Sequence, residues 1–192
     1  ADTFGKEELR TWYFEVWNEA DGWPAEDWPK FHRMYDIFAD AVLGTDEKLR
    51  VGGPGSFRQD FLRDFLEHVT NGRNYVTGEK GARIDFISHH IYGMSGSWLG
   101  EYPLVMPTVQ RFCQEILWLS RMIQSYPSLK NVEFHLNEWG VCSHYEKTAR
   151  EYPALEIRSS EFSACFFVKL ADCLRQIGQC YGFAPAMMLY WG

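Results

Sequence analysis

The sequence predicts an α/β fold in which a parallel sheet curls into part of a (β/α)8 TIM-type barrel. Two observations lead there. Short apolar or aromatic runs alternate with amphipathic stretches four times and end on a fifth run, the pattern of strands joined by crossover helices. Two of those runs, Phe14-Glu15-Val16-Trp17-Asn18-Glu19 and Phe134-His135-Leu136-Asn137-Glu138-Trp139-Gly140, each reach an Asn-Glu pair. Chemistry in parallel α/β folds gathers at the carboxyl ends of strands. A closed barrel brings two such strands face to face, whereas an open sheet holds them about 10 Å or more apart.

The elements follow in order. Tyr13 to Trp17 is β-branched and aromatic and reads as a strand. Trp28, Phe31, Tyr35, Phe38 and Val42 recur at helical spacing, with Gly44 as the stop. Leu49 to Gly53 is a short strand running into a Gly/Pro turn, and Phe57, Phe61, Phe65 and Val69 mark a second helix that stops near Gly72. Ile84 to His90 is the third strand. Val109, Phe112, Ile116, Leu119 and Ile123 mark a helix ended by Tyr126-Pro127. Val132 to Leu136 is the fourth strand, and a polar, aromatic loop runs from Gly140 to about Arg158. Phe162, Phe166, Leu170, Cys173 and Ile177 mark the last helix, with Gly178 after it, and Met187 to Tyr190 is the fifth strand.

A whole (β/α)8 barrel takes about 250 residues. Five strands and four helices in 192 residues therefore read as one domain, 1–192, holding an incomplete barrel. Such a piece predicts exposed strand edges and, with them, a homo-oligomer or association with a further barrel segment. The chain opens Ala1-Asp2-Thr3-Phe4, without an initiator Met, a basic n-region or an apolar h-region, and reads as processed or cut from something longer.

Composition narrows the partners. The net charge of −7 offers no basic face for phosphates, which argues against nucleic acid. No apolar run approaches the roughly 20 residues of a membrane span. Eight Trp, ten Tyr and fourteen Phe supply flat faces with polar tips, which suit the C–H faces of sugar rings as well as a core. Five Cys, an odd number without a CxxC pair, leave at least one unpaired and read as a reduced framework without structural disulfides, which fits the cytoplasm, with secretion and one or two bridges as the alternative; Cys165, Cys173 and Cys180 read as small core residues.

Glu19 and Glu138 are the candidate chemistry. Cleavage of a glycosidic bond needs two carboxyl groups across it, one to donate a proton and one to attack or to activate water. Glu15 and Glu133 lie deeper along the same strands, where a carboxylate serves structure. His89, His90, His135 and His144 show no HExxH or other tight ligand spacing, so no metal and no cofactor is expected.

Trp12 to Glu19 resembles the acid/base motif of glycoside hydrolase family 39, one of the retaining (β/α)8 glycosidase families. Leu49 to Pro54 resembles its fifth-strand segment, Asp85 to Tyr92 its sixth, Leu136 to Gly140 its nucleophile segment on the seventh, and Tyr190-Trp191 the start of the eighth. The resemblance implies that Glu19 is the acid/base and Glu138 the nucleophile. It implies that Asn18 bonds the sugar 2-hydroxyl, that His90 and Tyr92 line the floor, and that Trp191 is a stacking platform. Ala20 and Gly93 stand where the family usually has Pro, and nothing resembles strands one to three. Asn71 to Gly81 is similar to the α-L-iduronidase branch, while Asn137 to Gly140 is more similar to the β-xylosidase branch. The function implied is a β-xylosidase-like retaining hydrolase acting on carbohydrate. The alternatives are an α-L-iduronidase-like hydrolase and a non-catalytic sugar-binding module. An unrelated flavodoxin-like protein, with Gly52-Gly53-Pro54-Gly55 as a phosphate loop, is the competing fold.

Overall fold

The computed structural model describes residues 3–94, 108–142, 148, 150–151 and 153–191. A one-turn helix α1 (Lys6–Leu9) leads into β1 (Tyr13–Glu15). Then follow α2 (Trp28–Thr45), β2 (Arg50–Ser56), α3 (Gln59–Asn71), β3 (Phe86–Met94), α4 (Val109–Gln124), β4 (Glu133–Cys142), α5 (Glu161–Tyr181) and β5 (Met187–Tyr190). The sheet order is β1-β2-β3-β4-β5, with every neighbouring pair parallel. That order excludes the flavodoxin-like arrangement, in which the first strand lies inside the sheet.

The sheet is curled. In a flat sheet β1 and β4 would lie three spacings apart, about 14 Å. Instead Tyr13 Oη donates to Glu133 Oε2 at 2.7 Å, and Asn137 Nδ2 donates to Glu15 Oε2 at 2.5 Å, both between β1 and β4 across the interior. Five strands thus form roughly half of a barrel wall. The helices bury their apolar stripes on its outside. Phe31 and Tyr35 of α2, Phe61 and Phe65 of α3, Phe112 and Ile116 of α4, and Phe166 and Leu170 of α5 join Ile87, Ile91, Phe134 and Leu136 of the strands in one continuous core. Among the described residues no helix is long and apolar enough to cross a membrane.

Several boundaries differ from expectation for local reasons. β1 stops at Glu15, because Trp17 turns the chain with φ 66°. β2 does not turn at Gly52-Gly53 but runs on to Ser56 through a cis Gly53–Pro54 bond. Gly52 is required there: a Cβ on it would lie 2.2 Å from the carbonyl oxygen of Phe86 on β3. β4 continues to Cys142, so Asn137 and Glu138 sit within the strand and not after it. The last helix passes Gly178 and ends at Gly182, which takes the left-handed φ of 64° that a helix stop favours. Phe57 lies ahead of α3 and is exposed.

The cysteine expectation is corrected. Cys113 of α4 and Cys173 of α5 are joined by a disulfide, with their Cα atoms 6.7 Å apart. Cys165 and Cys180 are exposed, not core, and Cys142 is buried. Sixty residues separate the bonded pair, so sequence spacing carried no sign of it. Two adjacent helices packed side by side supply the proximity instead.

Candidate active site

Two interruptions of strand register shape the site. On β3, Ser88 and His90 are two residues apart but pair with His135 and Glu138, three apart on β4. On β5, Met188 and Tyr190 pair with Leu136 and Trp139, again two against three. Both offsets put one extra residue in β4 between Leu136 and Glu138, a bulge centred on Asn137. A bulge suspends the alternation of faces. Asn137 and Glu138, though adjacent, therefore both reach inward: Asn137 Nδ2 bonds Glu15, and the Glu138 carboxylate accepts a hydrogen bond from Tyr92 Oη. A matching bulge lies in β2, where Gly53 and Ser56 pair with Ile87 and His89.

Glu19 arrives by a strained route. Trp17 and Glu19 have φ of 66° and 52°, a region that ordinary side chains rarely adopt. The surroundings hold them there. Glu19 N donates to Gly55 O at 2.9 Å. Two residues on, buried Asp21 accepts from the amides of Phe57 and Arg58 at 2.7 and 2.6 Å, tying the loop to the β2–α3 connection. Burial pushes the Asp21 carboxyl up to about 6, against those two amide bonds.

His90 joins the two carboxylates. Its Nδ1 lies 2.8 Å from Glu19 Oε1 and 3.8 Å from Glu138 Oε2, and the ring is 2% exposed. One oxygen of Glu19, one of Glu138 and this nitrogen all lie within 4.8 Å of one another. Among the described residues they are also the group with metal-ligand spacing. Asn18, between the two strained residues, is exposed. Trp191 follows β5, its backbone N–H donating to Trp139 O at 2.8 Å and its side chain exposed. Glu19, His90, Tyr92 and Glu138 are thus brought together, whereas Asn18 and Trp191 are presented at the surface.

Of the other histidines considered above as metal ligands, His89 and His135 are not part of the cluster. His89 is fully buried against Ser56 Oγ at 3.2 Å, and burial holds its pKa below the usual range. His135 bonds Glu133 Oε2 at 2.9 Å, and His144 lies outside the described residues. Glu133 is a structural carboxylate, held below its ordinary pKa by its bonds from Tyr13 and His135. A separate cleft of about 400 Å³, lined by Asp36, Asp40, Asn74, Lys80 and Arg83 among others, includes none of the four clustered residues.

The residues that sequence reasoning passed over are Asp21, Ser88 and Asn137, together with Glu15 in a larger role than its depth in the strand suggested. Ser88 Oγ donates to Glu15 Oε1 and accepts from Gly55 N at 2.8 Å. Burial raises the Glu15 pKa, opposed by the bond from Ser88, the charge of His90 and the bond from Asn137.

The family model for glycosyl hydrolases family 39 matches residues 1–188. The chain belongs to family 39. It is 33% identical over 96 residues to a β-xylosidase of Geobacillus stearothermophilus, covering 47% of this chain and 18% of that protein. It is 36% identical over 103 residues to an α-L-iduronidase of Canis lupus familiaris, covering 49% and 16%. The fold matches a monomeric β-xylosidase of Caulobacter crescentus with a TM-score of 0.69 and 27% identity, over 99% of this chain and 35% of the other. It also matches the bacterial orthologue of human α-L-iduronidase with a TM-score of 0.76 and 23% identity, over 96% and 30%. The chain thus spans less than a fifth of the length of these two relatives. The half-barrel is the part of the (β/α)8 fold that it shares with the solved enzymes.

Proposed function

We propose that the protein containing this chain is a retaining O-glycosyl hydrolase, with Glu19 as general acid/base and Glu138 as nucleophile. The observation that carries the reading is that one oxygen of Glu19 and one oxygen of Glu138 lie within 4.8 Å of each other. Retaining glycosidases hold their carboxyl groups about 5 Å apart, and inverting ones hold them further apart to admit a water. Tyr92 Oη donates to Glu138 and orients it toward the anomeric carbon. His90 Nδ1 bonds Glu19, which protonates the leaving oxygen and then removes the proton from water. Asn18 is read as the partner of the sugar 2-hydroxyl and Trp191 as a stacking surface, on the strength of their motif positions. Residues 1–192 are read as the carboxyl-terminal portion of the catalytic barrel.

The substrate proposed is a β-xyloside, supported by the 33% identical β-xylosidase. An α-L-iduronide is the second reading, supported by the 36% identical α-L-iduronidase. Turnover of aryl β-xyloside against aryl α-L-iduronide separates the two. Proton NMR of the first-formed sugar tests the mechanism: the anomer should match the substrate, and the opposite anomer would exclude a double displacement. A folded protein that binds these sugars and turns over neither is the sugar-binding module.

A further inference from the structure

Glu15 touches both strand bulges. On one side its carboxylate abuts the β2 bulge, where an added Cβ on Gly55 would lie 3.4 Å from it and one on Gly53 3.6 Å. On the other it accepts from Asn137, the extra residue of the β4 bulge. Ser88 stands between them on β3, at the last pairing with β4 before the register shifts, and bonds both Glu15 Oε1 and Gly55 N. Each bulge in turn places one catalytic carboxylate: Gly55 O accepts from Glu19 N, and Asn137 immediately precedes Glu138. A half-buried carboxylate at the end of β1, the strand that leads to Glu19, thus reaches β4, the strand that carries Glu138.

We propose that Glu15 is a positioning residue that locks the two bulges together and so sets the separation of Glu19 from Glu138. The proposal rests on the retaining-hydrolase reading above. Two observations separate this role from plain core packing. Apolar burial would be served by an apolar residue, yet this position holds a carboxylate with a donor on each oxygen. Its neighbours in β2 are glycines at φ 152° and 55°, conformations that other residues rarely adopt, so the bulge it packs against has a backbone that only glycine takes readily. Burial of an ionisable group is costly unless its bonds are made, so the network is held in one arrangement. Misplacing a reacting group by about 1 Å costs roughly 100-fold in rate. That is the effect expected from releasing the bulges.

The test uses the intact protein containing this chain and four variants. Glu15→Ala should lower kcat about 100-fold, with KM changed by less than about threefold and a circular dichroism spectrum like that of the parent. Glu15→Gln keeps the shape and can accept one bond while Asn137 turns its amide, so it should recover most of the lost kcat. Ser88→Ala, which removes the hydroxyl between Glu15 and Gly55, should reproduce a large part of the kcat loss, and it carries the test if Glu15→Ala does not fold. Glu138→Ala with and without azide is the control on the underlying reading. If Glu15→Ala and Ser88→Ala fold and keep kcat within threefold while Glu138→Ala is inactive and azide-rescued, the positioning role is overturned and the hydrolase reading stands. If Glu138→Ala keeps full activity, the reading itself fails, whatever Glu15 does. A Glu15→Gln variant as slow as Glu15→Ala also overturns the proposal as stated, because hydrogen-bonded shape would then not be the operative property.

Discussion

Glu19, four residues beyond the end of β1, and Glu138, within β4, come from strands with two others between them, and yet an oxygen of each lies within 4.8 Å of the other. Curl of the sheet brings β1 and β4 to face each other across the interior. The bulge at Asn137 turns Glu138 inward beside a residue that already points inward.

Replacing Glu19 should slow the reaction unequally. In the proposed mechanism Glu19 is the general acid, a role worth about 100- to 10,000-fold, and Glu19→Ala removes it. The loss in kcat/KM should be large for alkyl glycosides and small for aryl glycosides whose phenolate leaves without a proton. A series of substrates with graded leaving groups measures this, and an equal loss across the series would contradict the acid role.

The Tyr92 hydroxyl donates to Glu138, and hydrogen bonds to charged groups contribute about 1.5–3 kcal/mol. Tyr92→Phe should therefore reduce kcat by roughly 10- to 100-fold while shifting Tm only slightly. A Tm fall of many degrees with kcat preserved would assign the hydroxyl to stability instead.

Asp21 links the site to pH-dependent stability. Its carboxyl is raised from 3.8 to about 6 in the fold, chiefly by burial. The folded state therefore holds that proton more tightly than the unfolded chain. Its contribution is full below about pH 3.8 and is lost as the pH rises to about 6. The two values correspond to roughly 3 kcal/mol. Buried His32, lowered by burial to about 4, acts in the opposite sense: its contribution is present above 6.5 and is lost as the pH falls to about 4. Asp21→Asn isolates the first effect. The variant should gain stability relative to the parent as the pH rises from 4 to 6, with the difference constant above that. A difference that does not change with pH would contradict the assignment.

Gly52 tests the strand contact beneath the site. Gly52→Ala places a methyl 2.2 Å from the Phe86 carbonyl, so β2 and β3 must separate. Overpacking of this kind costs about 1–3 kcal/mol, readable as a lower denaturant midpoint. An unchanged midpoint would mean that the strands yield freely.

The alternation of apolar runs and helical stripes made the strand order, the four long helices and the two catalytic candidates legible in the sequence. Periodicity reports which face of an element is buried, and that suffices for Phe61, Phe65, Phe112 and Phe166. It does not report register. Asn137 reads as an ordinary strand residue until pairing with β3 and β5 reveals the extra position. Glu15, read as structural from its depth in the strand, owes its partners to β3 and β4, whose residues lie far along the chain. Asp21 bonds backbone amides of Phe57 and Arg58, groups every residue carries, so no side-chain pattern marks it. The Cys113–Cys173 link was hidden for the same reason, since contact between two helices is a tertiary fact.

In the proposed mechanism Glu138 attacks the sugar while Glu19 handles the proton. Azide rescue of Glu138→Ala in the protein containing this chain tests it most directly. Turnover of an activated aryl glycoside should be lost in the variant and restored by azide, yielding a glycosyl azide of inverted anomeric configuration. Full activity of Glu138→Ala without azide would contradict the claim.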